Sequence, residues 1–352
     1  MSLTTVDGSL ISSGAITLTT QVTGTLPEAN GGTGTTVGYC GFKNKIINGG
    51  MVIDQRNAGA SVTSGFPVDR FQVYSTQSSK WTAQQSTTAP TGFTNSVIIT
   101  SSSSYSPISS DYFSYTTRIE GFNVADLDWG TANAKTITVS FWVRSSLTGT
   151  WTGALHNNAF NRVYPFSYTI SSANTWEYKT VTIAGDTTGT WLTNNSVGIE
   201  IGFAFSVGSS GLGTAGAWTN TASIFGATGQ TNLLGTNGAT FYITGVQLEK
   251  GSTATSFDYR PYGQELINCQ RYYQTNAFSF AGPASAGTTI GAYCYLPVSM
   301  RAAPTATVSN ITGVGGYPAT AVATSSTFAI KVQGTASSAY IWDLNLTASA
   351  EL

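Results

Sequence analysis

The sequence predicts an all-β protein, and three observations carry this. Short runs rich in β-branched and aromatic residues recur along most of the chain, and many alternate apolar with polar positions, the period of a half-buried strand. No twelve-residue window shows an apolar stripe at helical spacing. The 352 residues include 41 Ser, 55 Thr and 39 Gly, and only 9% are charged, a composition of strands and polar turns rather than of helices. The 17 Phe, 17 Tyr and 8 Trp supply core material, and the length suits two or three domains.

Residues 1–36 read as an extended N-terminal attachment segment. The stretch ITLTTQVTGTLPEANGGTGTT is polar and glycine-rich and has too little apolar material for a core. It is expected to dock on a partner, or to wrap round identical chains, rather than to fold alone. Residues 37–262 read as a central β-sandwich, with strands at 46–47, 51–53, 71–74, 96–100, 112–119, 136–143, 166–170, 177–183, 197–205 and 241–248. In TITVSFWV, Ile137, Val139, Phe141 and Val143 share one face, opposite Thr138, Ser140 and Trp142. Val197, Ile199, Ile201, Phe203 and Phe205 share a face opposite Glu200 and Gly202.

Residues 263–274, GQELINCQRYYQ, break the pattern and read as a connector, a short helix or turn with Leu266, Cys269 and Tyr273 on one side. Residues 275–352 read as a small, sandwich-like C-terminal tip domain, with strands at 277–280, 289–296, 306–308, 328–332 and 340–346. A unit of this size buries little by itself, so packing against symmetry mates is expected.

Charge and composition exclude several functions. Lys and Arg number 15 against 16 Asp and Glu, a net charge of -1, which leaves no basic surface for phosphates, so no nucleic-acid partner is expected. No apolar run is long enough to span or insert in a membrane, and MSLTTVDGSL lacks the order of a secretory signal. Cys40, Cys269 and Cys294 are odd in number and have no metal-binding spacing, so free thiols are expected. His156, the one histidine, rules out a His-rich zinc site and reads as a surface or loop residue.

The chemistry left is that of carboxylates and aromatics. Glu120, Asp126, Asp128, Glu177, Glu200 and Asp258 could serve a glycosidase in pairs, and Glu200 interrupts an apolar strand, where an outward or interface position is expected. Asp126 and Asp128 would share one side of a strand, a weak calcium signal; no metal or cofactor is expected. Gly31-Gly32-Thr33-Gly34 lacks the Lys-Ser/Thr of a phosphate loop, and 208–216 reads as a flexible loop, equally at the surface or in contact with a ligand. Trp142 and Trp176 read as fold residues. Trp151, Trp191 and Trp218 lie in the polar stretches GTWTG, GTWLTNN and GAWTN, as residues of loops or strand ends do. Flat rings with amide neighbours bind neutral sugars with little charge. The candidate glycan platform is therefore Trp151, Trp191 and Trp218 with Asn157, Asn194 and Asn195.

Four stretches resemble bacteriophage tail-fibre and related virion appendage proteins. They are GTLPEANGGTG (24–34); NKIINGGMVIDQR (44–56) with VDRF (68–71); RIEG (118–121) with SFWVR (140–144); and ITGVQLEKG (243–251) with FDYRP (257–261) and CQRYY (269–273). The middle domain also resembles the jelly-roll sandwiches of carbohydrate-binding modules. Such modules often hold structural calcium through an Asp before the final Val-x-Leu-Glu; here Thr244 and Gly245 stand there. The resemblance implies a homotrimeric virion component, made in the host cytoplasm and located on the tail or another surface appendage. It would attach to a tail or baseplate protein through residues 1–36 and bind host cell-surface glycans without catalysis. The alternatives are a purely structural or decoration protein of the virion, and a polysaccharide depolymerase. Most such depolymerases use long β-helices, and this chain has no 20–30-residue repeat to build one.

Overall fold

The structure, a computed structural model, describes residues 42–282, 287, 289–314, 322–335 and 340–352. The chain divides into two units, Met1–Lys43 and Asn44–Leu352. The attachment segment expected at 1–36 and Cys40 lie outside the described residues.

The second unit is built from stacked sheets. A six-stranded sheet runs β1 (Gly65–Val68), β2 (Phe71–Ser75), β5 (Tyr112–Glu120), β10 (Val197–Val207), β7 (Gly149–His156) and β8 (Val163–Ile170). A five-stranded sheet runs β3 (Trp81–Ser86), β4 (Ser96–Ser101), β13 (Thr240–Lys250), β6 (Ile137–Ser145) and β9 (Glu177–Ile183). Eight of these strands nest as antiparallel pairs: β7 with β8, β6 with β9, β5 with β10, and β4 with β13. Successive pairs fall in alternate sheets, so the chain crosses between sheets from one pair to the next. Two-residue strands β11 (Leu212–Gly213) and β12 (Gly226–Ala227) pair in parallel.

The alternating patterns place the core as expected. Ile137, Val139, Phe141 and Val143 of β6 are fully buried, as are Ile199, Ile201, Phe203 and Phe205 of β10. They pack with Trp81, Phe113, Trp151 and Phe241 into one cluster, where each large side chain contributes ~1.5–3 kcal/mol by leaving water.

Several segments depart from expectation, β1 and β3 among them, which the alternation does not predict. Residues 46–47 and 51–53 are not strands, although Ile46, Met51 and Ile53 are buried. The buried Asn48 organises them instead. Its Oδ1 accepts from the Val52 and Ile53 N–H groups at 2.9 and 3.0 Å, and its Nδ2 donates to the Ile53 and Asp69 carbonyls, both at 2.9 Å. One amide thus replaces the ladder partners these peptides lack.

A further departure is β7, a full strand whose GTWTG start reads only as a loop or strand end. Its Gly153 reflects packing: a Cβ there would lie 2.2 Å from the Gly202 carbonyl oxygen and 2.4 Å from Cζ of Phe166. Glycine lets the Phe166 ring lie across the strand.

The connector is a helix, α1 (Tyr262–Gln270). It leads into two three-stranded sheets, termed the tip as a label only: β14 (Tyr273–Gly282), β19 (Tyr340–Ser349) and β16 (Thr305–Val314) in one, and β15 (Thr289–Tyr295), β18 (Ala329–Thr335) and β17 (Val322–Ser325) in the other. The tip has its own core of Cys294, Leu296, Met300, Ile330, Val332, Leu344 and Leu346.

A charged seam ties tip to sandwich. Glu120 accepts from Arg271 at 2.7 and 3.1 Å and from the Tyr272 hydroxyl at 2.8 Å. Arg118 Nη1 donates to the Leu352 carbonyl at 2.6 Å, and Glu351 takes both Arg56 and Arg70. Cys269 and Cys294 are buried free thiols; burial pushes both up in pKa.

Candidate functional site

The three tryptophans expected on loops or strand ends occupy different environments. Trp151 sits within β7 and is 0% exposed, its ring 4.7 Å from Phe241 and 6.5 Å from Phe205. A ring closed in by the core offers no face to a ligand, which corrects its assignment to the platform.

Trp191 and Trp218 are half-buried and meet each other at 5.5 Å between ring centroids and 77° between planes. The buried Trp129 completes the group, 4.6 Å from Trp191 and 5.4 Å from Trp218, perpendicular to both within about ten degrees. Tyr164 packs on Trp218 from β8 at 5.2 Å.

Each indole is fixed through its N–H. Trp129 donates to the Lys135 carbonyl at 2.7 Å, Trp218 to the Ala184 carbonyl at 2.8 Å, and Trp191 to Asp186 Oδ2 and the Thr188 carbonyl at 3.3 and 3.2 Å. The polar ends therefore face the protein, and what Trp191 and Trp218 leave exposed is ring. Trp129 was legible in kind, since DLDWGT has the same polar, glycine-flanked character as the stretches around the other two.

Arg162 and Asp186 brace the group. Arg162 donates to Asp186 through Nε and Nη2 at 2.7 and 2.8 Å, with its guanidinium 5.9 Å from the Trp218 ring centroid. Asp186 also accepts from the Thr188 N–H and hydroxyl, each at 3.1 Å. Burial alone raises a carboxyl pKa, but these donors outweigh it and hold Asp186 below its ordinary value. Asp186 therefore serves as a fixed acceptor on which the Arg162 side chain and the Trp191 loop are anchored.

The asparagines diverge. Asn157 is fully buried. It accepts from the Asn161 and Arg162 N–H groups and donates to the Thr190 carbonyl at 3.1 Å. It binds the β7–β8 turn to the loop that carries Trp191, and positions the aromatic group rather than touching a ligand. Asn194 and Asn195 are exposed. Asn194 Oδ1 caps the Ser196 N–H at 2.9 Å. Asn195 belongs to the seam, donating to the Arg301 carbonyl at 3.2 Å and accepting from Arg301 Nη1 at 2.6 Å through its own carbonyl.

Other candidates change character. His156 is buried in β7, not on the surface; its Nε2 lies 2.7 Å from the Ile224 carbonyl and its Nδ1 3.9 Å from Glu200 Oε1. Burial lowers its pKa, against the opposing pull of Glu200, and so disfavours the charged ring. Glu200 faces away from the sandwich core as the alternation requires, yet it is buried and accepts from Arg118 Nε at 2.6 Å. Asp126 lies in a 3-10 turn, Ala125–Leu127, with Asp128 directly after it rather than beside it on a strand, and Asp126 pairs with Lys45 and Lys250. Among the described residues, no group of three or more His, Cys, Asp or Glu side chains could hold a metal ion, and no helix is long and apolar enough to cross a membrane.

No family model matches the chain, and neither does any curated protein sequence. Solved structures show a distant all-β likeness. The enzymatically active domain of tailspike protein 4 from bacteriophage CBA120 is 13% identical at a TM-score of 0.33, over 59% of this chain and 22% of that one. The module TmCBM61, solved with β-1,4-galactotriose, is 10% identical at a TM-score of 0.29, over 59% and 99%. A family 11 carbohydrate-binding module from Clostridium thermocellum, solved with a β-1,3-1,4-mixed-linked tetrasaccharide, is 14% identical at 0.28, over 53% and 91%. No residue of these proteins is carried over to this chain.

Proposed function

We propose that this chain is a glycan-binding component of a virion appendage, attached through residues 1–36 and assembled as a homotrimer, and that it binds rather than cuts its ligand. The sandwich is read as a jelly roll because its four nested pairs alternate between sheets, the wiring of two Greek keys. The observation that carries binding is the Trp191–Trp218 pair. Two half-exposed rings are held at a fixed angle with their N–H groups already bonded inward. Such a surface is preorganised for the apolar face of a neutral sugar and loses little side-chain entropy on binding.

The test is Trp218→Ala and Trp191→Ala, measured by glycan-array binding alongside thermal melting. Loss of binding by roughly tenfold or more is expected, because a central aromatic contact commonly costs about 2 kcal/mol or more, with the melting temperature nearly unchanged. Light scattering is expected to give three chain masses. Full retention of binding in both variants would sink the platform. Binding that falls only in step with melting would favour the alternative, a structural virion protein whose indoles merely pack, and a monomer at micromolar concentration would contradict the trimer.

A further inference from the structure

The sequence stretches around Asn44, Gly245 and Phe257 converge on a feature that the tryptophan group does not use. Gly245 lies behind Phe93, which with Asn44 and residues 257–260 lines an open cleft of about 170 Å³. Its wall is a compact aromatic triad, with ring centroids 5.0 Å apart for Phe93 and Phe257, 5.4 Å for Phe93 and Tyr259, and 4.8 Å for Phe257 and Tyr259. Tyr259 is 59% exposed, yet it is aimed, because its hydroxyl donates to the Gly92 carbonyl at 2.9 Å. Phe93 is seated against Gly245, which has φ +62°; a Cβ there would lie 2.7 Å from the ring. These constraints hold a large apolar ring at the surface, where nothing in the core requires it.

The polar lining accepts rather than donates. Asp258 is held by its own N–H, which donates to Gln247 Oε1 at 2.8 Å, and its Oδ2 accepts from the Asn44 N–H at 3.1 Å. Glu265 accepts from Arg260 at 3.2 Å and from the Asn48 N–H. Arg260 donates to the Ile46 and Asn44 carbonyls as well, so its guanidinium serves the protein's own backbone. Two carboxylates against one committed arginine leave the lining one negative charge in excess.

We infer that this cleft is a second saccharide site, taking one pyranose unit with its apolar face on Tyr259 and Phe93 and its hydroxyl or amino donors toward Asp258. An aromatic wall selects a ligand with a flat apolar face. A lining of acceptors selects donors, and an excess negative charge rejects acidic sugars.

The test uses the full chain and isothermal titration with three probes: cellotetraose, a fully de-acetylated glucosamine tetramer, and tetragalacturonate. The first two are expected to bind the Trp191→Ala/Trp218→Ala double variant, which separates this site from the tryptophan pair. Tyr259→Ala, at a ring already mostly in water, is expected to weaken both by tenfold or more. Asp258→Asn retains an acceptor for Asn44 and is expected to weaken the glucosamine probe more than the neutral one. The inference is overturned if neither probe binds the double variant, if Tyr259→Ala changes no affinity, or if tetragalacturonate binds as tightly in a Tyr259-dependent way. Loss of binding in the Trp variants with no Tyr259 effect would overturn it while leaving the proposed function standing.

Discussion

Trp151→Ala lowers the stability of the sandwich by about 3–5 kcal/mol, a larger effect on folding than replacing any other indole suggested by the sequence as a ligand platform. The ring lies between the sheets, against Phe241 and Phe205, and Phe205 packs in turn on Trp81 at 5.8 Å. Its strand is paired on both sides, with β10 and with β8, so neither edge is free to collapse into the space. The cost is therefore the lost transfer energy together with an unfilled cavity. Trp151→Phe is expected to cost much less. It fills most of the volume and removes an indole N–H that has no hydrogen-bond partner among the described residues. Urea denaturation followed by circular dichroism measures both. A loss below about 1 kcal/mol for the alanine variant would mean that the ring is not a core residue.

Glu351→Ala should loosen the tip from the sandwich. Its carboxylate takes Arg56 Nη2 at 2.6 Å and Arg70 Nη1. Arg70 is almost completely buried, with its guanidinium 3.5 Å from the Tyr272 ring centroid and Nη2 donating to the Arg118 carbonyl at 2.6 Å. Removing the acid strands that charge in the interior, which costs about 3–5 kcal/mol. Glu351→Gln keeps an acceptor and should cost less. The expected signature is an early tip transition in denaturation and faster proteolysis near α1. A single unchanged transition would contradict the role assigned to the seam.

The same cluster has a pH dependence of definite sign. Burial pushes Asp69 up from 3.8 to about 6, against the pull of Arg56 at 3.0 Å. Because the folded pKa is the higher one, the stability this group contributes is fully present below about 3.8 and is lost as pH rises through about 6. Other carboxyls, Asp186 among them, run the opposite way. The quantity to measure is therefore the melting temperature of wild type minus that of Asp69→Asn, which should fall between those pH values. A rise would show that Arg56 outweighs burial.

The parts of the fold legible in the sequence are those where one face of a strand meets the core and the other meets something polar. In β6, Ile137, Val139, Phe141 and Val143 alternate with Thr138 and Ser140, and that period fixed both the strand and its inward face. The same rule found β10 and β13, and the break in it found α1. The all-β class followed from these patterns and from a composition poor in charge.

Where alternation failed, the cause was contact between residues distant in sequence. Gly153 made β7 resemble a loop because its partner, the Phe166 ring, belongs to the next strand. Glu200 and His156 sit on the outward face of the six-stranded sheet and are buried all the same, since Arg118 and the Ile224 carbonyl reach them from elsewhere in the chain. Trp151, Trp191 and Trp218 stand in similar local sequences and differ only in what the fold lays over them. A strand's faces are set by its own period of two residues, so the sequence alone determined them. Which ring is covered depends on nested pairs that join positions as far apart in the chain as Val97 and Ile243, and that was decided by the tertiary structure.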